Sequence, residues 1–250
     1  MPIVAFHMWN PVRQSLIAAH RFYVEQARKR LLSQFENLND EVNETAETLL
    51  NEIEYDPQIV DPYDVYEAAR EKSIELHQML SDLQDRTRLS VIAGMYHEWD
   101  KRLRDWMTRE MRHWHNGDLA KQAVWKADMP DLLELLTSFD WNVAALECHD
   151  RLDVMRLVVN VFKHGEGTSL ERLKSQHPEF FPSTGAIQGG LPSRLIDHTQ
   201  MMVEDRHVEE FSEAIVAFWE AVPESIIAKD GVEVPRWFEK AFNKDRSATS

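Results

Sequence analysis

The chain has 250 residues, 43% of them hydrophobic, a formal net charge of −15 at pH 7 and a single cysteine. That length and apolar share suffice for one domain with a substantial core, while one cysteine excludes a disulfide framework and suits a reducing compartment. The negative charge argues against a broad nucleic-acid-coating surface and against DNA binding. With no apolar run near the ~20 residues that span a bilayer, and no signal-peptide pattern in MPIVAFHMWNPVRQ, the expectation is a cytoplasmic protein without membrane contact.

From Val12 to Ile53 apolar residues recur every three or four positions, through Leu16, Tyr23, Leu31, Leu38, Val42 and Leu49. This is the period of one long helix or a broken pair, with Asn37, Asn39 and Asp40 as the break and recap. Asp56-Pro57 to Asp61-Pro62 reads as a linker, since each proline removes a donor and turns its predecessor away from helix. Asp61 then caps a helix with Pro62 in its first turn. A second pattern runs from Val65 through Leu76, Leu89, Trp99 and Trp106 to Trp114. Unbroken, it would extend on the order of 80 Å at ~1.5 Å per residue, too long for a compact domain of this size. The expectation is a kink near Asp85 to Arg88 or a projecting antiparallel arm, whose apolar stripe would favour dimerisation.

Asn116-Gly117 makes the next turn, and short helices over 118–128 and 131–138 are separated by Pro130. A helix follows from about 142 to 164, ended by Gly165, and Ser169 is placed to cap a short helix ending before His177-Pro178. Residues 178–200 form a long loop, and Met201 to Val208 reads as a short strand. Val208, Phe211, Ile215, Phe218 and Val222 define a final amphipathic helix, with the chain fraying from Asn243. Together these elements give an all-α helical bundle. One domain covers 1–245, with 1–60 as a long-helix extension and 246–250 as a disordered tail.

The segment HDRLDVMRLVVNVFKHGEG is the candidate site. At helical spacing it lines up His149, Asp153, Arg156, Asn160 and His164, while Ala145, Cys148, Leu152, Met155, Val159 and Phe162 fall on an apolar stripe. Cys148 reads as a small buried thiol. The short basic clusters, Arg28 to Arg30 and Lys101 to Arg104, read as solvated helix faces. No phosphate-binding glycine loop is present. His113, His115 and His97 lack HExxH or paired CxxC spacing, so no metal or cofactor is expected.

His164 lies in the last turn of its helix beside Lys163, where the macrodipole favours a protonated imidazole able to act as acid or base. Arg156 supplies a planar fork for phosphate, Lys163 a further cation and Asn160 an orienting amide. These are the parts of a metal-independent RNA cleavage in which a ribose 2′-OH attacks the adjacent phosphate. The same residues also admit a purely structural reading, with Arg156 paired to Asp153, Asn160 bridging helices and His164 with Gly165 forming an ordinary helix end.

Asn160-Val161-Phe162-Lys163-His164 resembles the motif of the last core helix of the HEPN superfamily, all-α domains often found as ribonuclease toxins and in antiviral defence. The asparagine and histidine match. The family's arginine position is Val159 here, a departure that leaves Arg156, one turn earlier, as its substitute, and leaves open a degenerate member that binds without cutting. The resemblance covers this helix alone. It implies a homodimer whose two copies of the helix face each other across a cleft, with both His164 side chains at one composite site. His97 and Glu98 would border that cleft, although Glu98 is also spaced for a helix-face salt link to Arg102.

Two functions follow as expectations. One is a HEPN-like endoribonuclease of a toxin or antiviral-defence system, with His164, Asn160 and Arg156 catalytic and Lys163, His149 and His97 holding the RNA. The other is a non-catalytic helical interaction or scaffold protein, the adaptor or antitoxin partner of such a complex.

Overall fold

The computed structural model describes residues 3–52, 61–182, 196–229 and 231–249. The expected linker up to position 60 and most of the expected long loop therefore lie outside the described residues. Among the described residues the chain is all-α apart from one two-stranded sheet: β1 (Ile3–His7), α1 (Asn10–Arg30), α2 (Leu38–Glu52), α3 (Pro62–Met111), α4 (Asp118–Lys126), α5 (Met129–Ser138), α6 (His149–His164), α7 (Thr168–Gln176), α8 (Asp205–Ala221), β2 (Ser225–Ala228) and α9 (Arg236–Thr249).

The first apolar pattern is a broken pair. A 3-10 turn at Leu32–Phe35 separates α1 from α2, and the Glu41 N–H returns to the Asn37 carbonyl 3.0 Å away to start α2. Asp61 caps α3 as its sequence suggests, accepting the Tyr63 N–H at 2.9 Å, with Pro62 in the first turn. The helix then runs for 50 residues without interruption at Asp85 to Arg88. At the standard rise this is about 75 Å. Its length is accommodated by division of labour. From Leu89 onward α3 belongs to the main core, whereas its first half pairs with α2. In that paired segment only Val42, Val65 and Ala69 are buried among the described residues, and none of them joins the main core.

The main core is built around α6, which packs against α3, α7 and α8. Trp99 of α3 meets Phe218 of α8 edge-on at 5.2 Å, and Trp141 packs on the same phenyl ring at 5.5 Å. The core also takes in Ala5 and Phe6 of β1 and Ile17, Val24 and Ala27 of α1, so the N-terminal extension contracts to α2. Trp106 and Trp114 donate their indole N–H groups to the His7 and Ala5 carbonyls at 3.0 and 2.6 Å. Burying β1 against α3 thus leaves these backbone acceptors paired.

β1 pairs antiparallel with β2, with an irregularity between Val4 and Phe6. No alternating pattern announces either strand, since each is too short to show one clearly. The expected strand over 201–208 does not form: residues 201–204 are irregular and α8 begins at Asp205, with Val208 and Phe211 on its buried face. Nor does the chain fray from Asn243. Helix α9 continues to Thr249, with Phe238 in the core and Asp245 buried. Asp245 accepts the Leu119 and Ala120 N–H groups at 3.1 and 2.8 Å and meets His115 Nε2 at 3.0 Å, closing the start of α4 with a residue from α9. No described helix is long and apolar enough to cross a membrane.

Candidate functional site

Helix α6 starts at His149, after a 3-10 turn at Val143–Ala145, and not near 142. Ala145 is therefore outside the helix and exposed, and Phe162 also faces outward. The buried surface is broader than one stripe, because Val154, Leu157, Val158 and Val161 join Leu152, Met155 and Val159. Besides Asp150 and Arg151 in its first turn, the helix keeps a polar strip of half-buried His149, Asp153, Arg156 and Asn160 followed by exposed Lys163 and His164. Cys148 is buried, and burial pushes its thiol above the ordinary range, which suits a packing residue and not a nucleophile.

That strip divides into two. Arg156 and His164 are separated by about 12 Å along the helix axis, and His149 and His164 by about 22 Å. Side chains lean towards the helix N-terminus, so Arg156 leans away from His164. Arg156 is also engaged: its Nε and Nη2 donate to Asp153 Oδ1 at 2.9 and 2.6 Å. Arg172 of α7 donates to the other oxygen of the same carboxylate at 3.0 Å. Asn160 donates through Nδ2 to Ser169 Oγ at 3.4 Å, bridging α6 and α7. Ser169 is consequently not the cap of α7, whose preceding residue is Gly167.

At the other end Gly165 adopts φ 71°, a conformation glycine reaches without strain, and its N–H closes on the Val161 carbonyl at 2.8 Å. Lys163 and His164 stand exposed, and their side chains make no hydrogen bond or ion pair with another described residue. His97 is exposed on α3, edge-on to Tyr96 at 5.7 Å, while the neighbouring Glu98 accepts from Arg102 at 2.7 Å. The structure places His149, Asp153 and Arg156 on one cavity, with Asn160 one turn further along α6, and leaves Lys163, His164 and His97 outside the cavity lining.

His149, Asp153 and Arg156 line a cavity of about 440 Å³ between α5, α6, α7 and Trp99 of α3. Spacing along α6 indicates these three, but two other contributions escape it. Arg172 arrives from the next helix, and Pro130, which reads as a separator, belongs with Met129, Leu133 and Thr137 to one face of α5 that forms the apolar wall. His149 keeps a contact with its own neighbour, Nδ1 lying 3.3 Å from Asp150 Oδ1. The indole N–H of Trp99 is buried with no partner among the described residues. On α3 the buried Tyr96 hydroxyl is pushed upward by burial, with the nearby Asp100 charge adding to the shift and Arg156 opposing it.

Among the described residues no group of three or more His, Cys, Asp or Glu side chains is placed to hold a metal ion. His115 is instead spent on Asp245. His207, absent from the sequence-based candidates, is buried beside Phe180 with ring centroids 4.6 Å apart, and its Nδ1 accepts the Glu204 N–H at 2.9 Å. Comparison with known protein families, curated proteins and solved structures finds no match to this chain.

Proposed function

We propose that the protein is a non-catalytic helical interaction protein that engages a partner protein through the α2/α3 arm. The observation that carries this reading is the arm's surface: Tyr63, Tyr66, Ile74, Met79 and Leu83 are each more than half exposed on the first half of α3. Tyr63, Tyr66 and Ile74 recur at helical spacing on one face, and Met79 and Leu83 form a second, one turn apart. Covering such a side chain is worth about 1.5–3 kcal/mol, so several together drive association. Residues 38–52 and 62–88 contain eleven acidic side chains against four basic ones. Two copies laid arm to arm would bring like charges together, so the charge favours a partner with a basic, apolar-lined surface.

The test is affinity purification from the native cell with the wild type and an Ile74→Ser, Met79→Ser, Leu83→Ser variant. The reading expects a stoichiometric partner that is lost with the variant. Equal recovery with both proteins would remove the arm from consideration.

The HEPN-like ribonuclease is the second reading, favoured by the exposure of Lys163 and His164 at the end of α6. In it a homodimer would bring a second copy of this helix end to the RNA. Its test is cleavage of total RNA and purified tRNA in excess EDTA by the wild type and His164→Ala. Metal-independent cutting lost in the variant would establish it.

A further inference from the structure

We propose that the cavity between α5, α6 and α7 binds a small amphipathic anion, its charged head at Arg156 and Arg172 and its apolar body along α5. At about 440 Å³ the cavity has the volume of a small-molecule site. Its walls divide by chemistry. Met129, Pro130, Leu133, Leu152 and the Trp99 indole supply apolar surface on one side, and two guanidiniums stand on the other.

The charge arrangement gives the anion its place. Asp153 is shared by both arginines, which leaves one positive charge uncompensated in the cluster. The bonds to Asp153 use Nε and Nη2 of Arg156 and Nη2 of Arg172, so among the described residues Nη1 of each and Nε of Arg172 have no partner and are available as donors. The Arg156 side chain is only 16% exposed, which weakens competition from water for an anion bound there. Glu134 also lines the cavity but is exposed, where solvent screens its charge. None of this uses the arm, so the site is independent of the proposed partner surface.

The probe is 8-anilinonaphthalene-1-sulfonate, a rigid aromatic monoanion, compared with N-phenyl-1-naphthylamine, which has the same rings and no charge. Binding of both is followed by fluorescence with the wild type, Arg172→Gln and Leu133→Trp. Arg172 is a half-exposed helix residue whose loss leaves the core intact, and circular dichroism verifies each fold. The expected result is at least a fivefold loss of the anionic probe in Arg172→Gln with the neutral probe held within twofold, and a loss of both in Leu133→Trp, which fills the cavity. Competition by octanoate and by octyl phosphate then distinguishes a carboxylate from a phosphate head. Anionic-probe affinity unchanged in either variant, equal loss of both probes in Arg172→Gln, or failure of both competitors to displace the dye would overturn the proposal.

Discussion

Asp153→Ala should lower stability and raise affinity for the anionic probe while affinity for the neutral N-phenyl-1-naphthylamine holds, a combination that loosening of the fold, which raises binding of both dyes, would not produce. The carboxylate accepts three charge-assisted hydrogen bonds, at 2.6 and 2.9 Å from Arg156 and at 3.0 Å from Arg172. The Arg172 contact is half-exposed and worth about 0.2–1 kcal/mol. The Arg156 contact is more protected, and leaving its donors without a partner costs about 1–3 kcal/mol. A total near 2 kcal/mol lowers Tm by roughly 4–8 °C in a chain of this size. Meanwhile one negative charge disappears beside the bound anion. At a separation of about 7 Å and an effective dielectric near 40, its repulsion is worth about 1.2 kcal/mol, or roughly sevenfold in Kd. Differential scanning fluorimetry and titration with the anilinonaphthalene sulfonate read the two effects on one preparation. An unchanged Tm would refute the account of Arg156 as held by Asp153, and weaker dye binding would refute the account of Asp153 as the neutralising group.

Further expectations concern the rest of the fold. A Cβ on Gly117 would lie 2.1 Å from Asp245 Cγ, so Gly117→Ala should displace the carboxylate that closes α4 and cost about 2–4 kcal/mol in a urea melt. Burial raises the Asp245 carboxyl, but the N–H of Ala120, the His115 contact and the N–H of Leu119 outweigh it and hold it below its ordinary value of 3.8. Its contribution is therefore present above that pH and lost as pH falls through the folded value. The stability gap between wild type and Asp245→Asn should be widest near neutrality and narrow below pH ~4. His207 and His20 are lowered from 6.5, each mainly by burial, so the unfolded chain takes up their protons first. Stability should fall as pH drops through and below 6.5, and His207→Asn should flatten part of that slope in pH-dependent urea melts. The arm variant Ile74→Ser, Met79→Ser, Leu83→Ser should melt within about 0.5 kcal/mol of wild type per substitution, because these side chains are exposed. A large loss would assign them a packing role.

The helical class, the break after α1, the Asp61 cap and the pairing of Glu98 with Arg102 were legible because each depends on residues close in sequence, where period and capping chemistry act directly. The interior of α6 was legible only as a stripe, since spacing cannot count how many neighbours a helix acquires in the folded chain. Asp153 and Arg156 are three residues apart and their pairing could be anticipated. Arg172 and the α5 wall join them only through tertiary packing. The order of the end of α9 was hidden for the same reason: after Phe242 the sequence NKDRSAT offers little apolar surface, and Asp245 becomes a buried acceptor only when the start of α4 lies against it. β1 was hidden because its partner is more than 200 residues away.

A photo-crosslinking amino acid placed at Ile74 and, separately, at His164 in the native cell tests the arm and the end of α6 in one experiment. Position 74 should crosslink to a distinct protein with a basic surface and position 164 to nothing. RNA captured at position 164, with nothing captured at position 74, would contradict it.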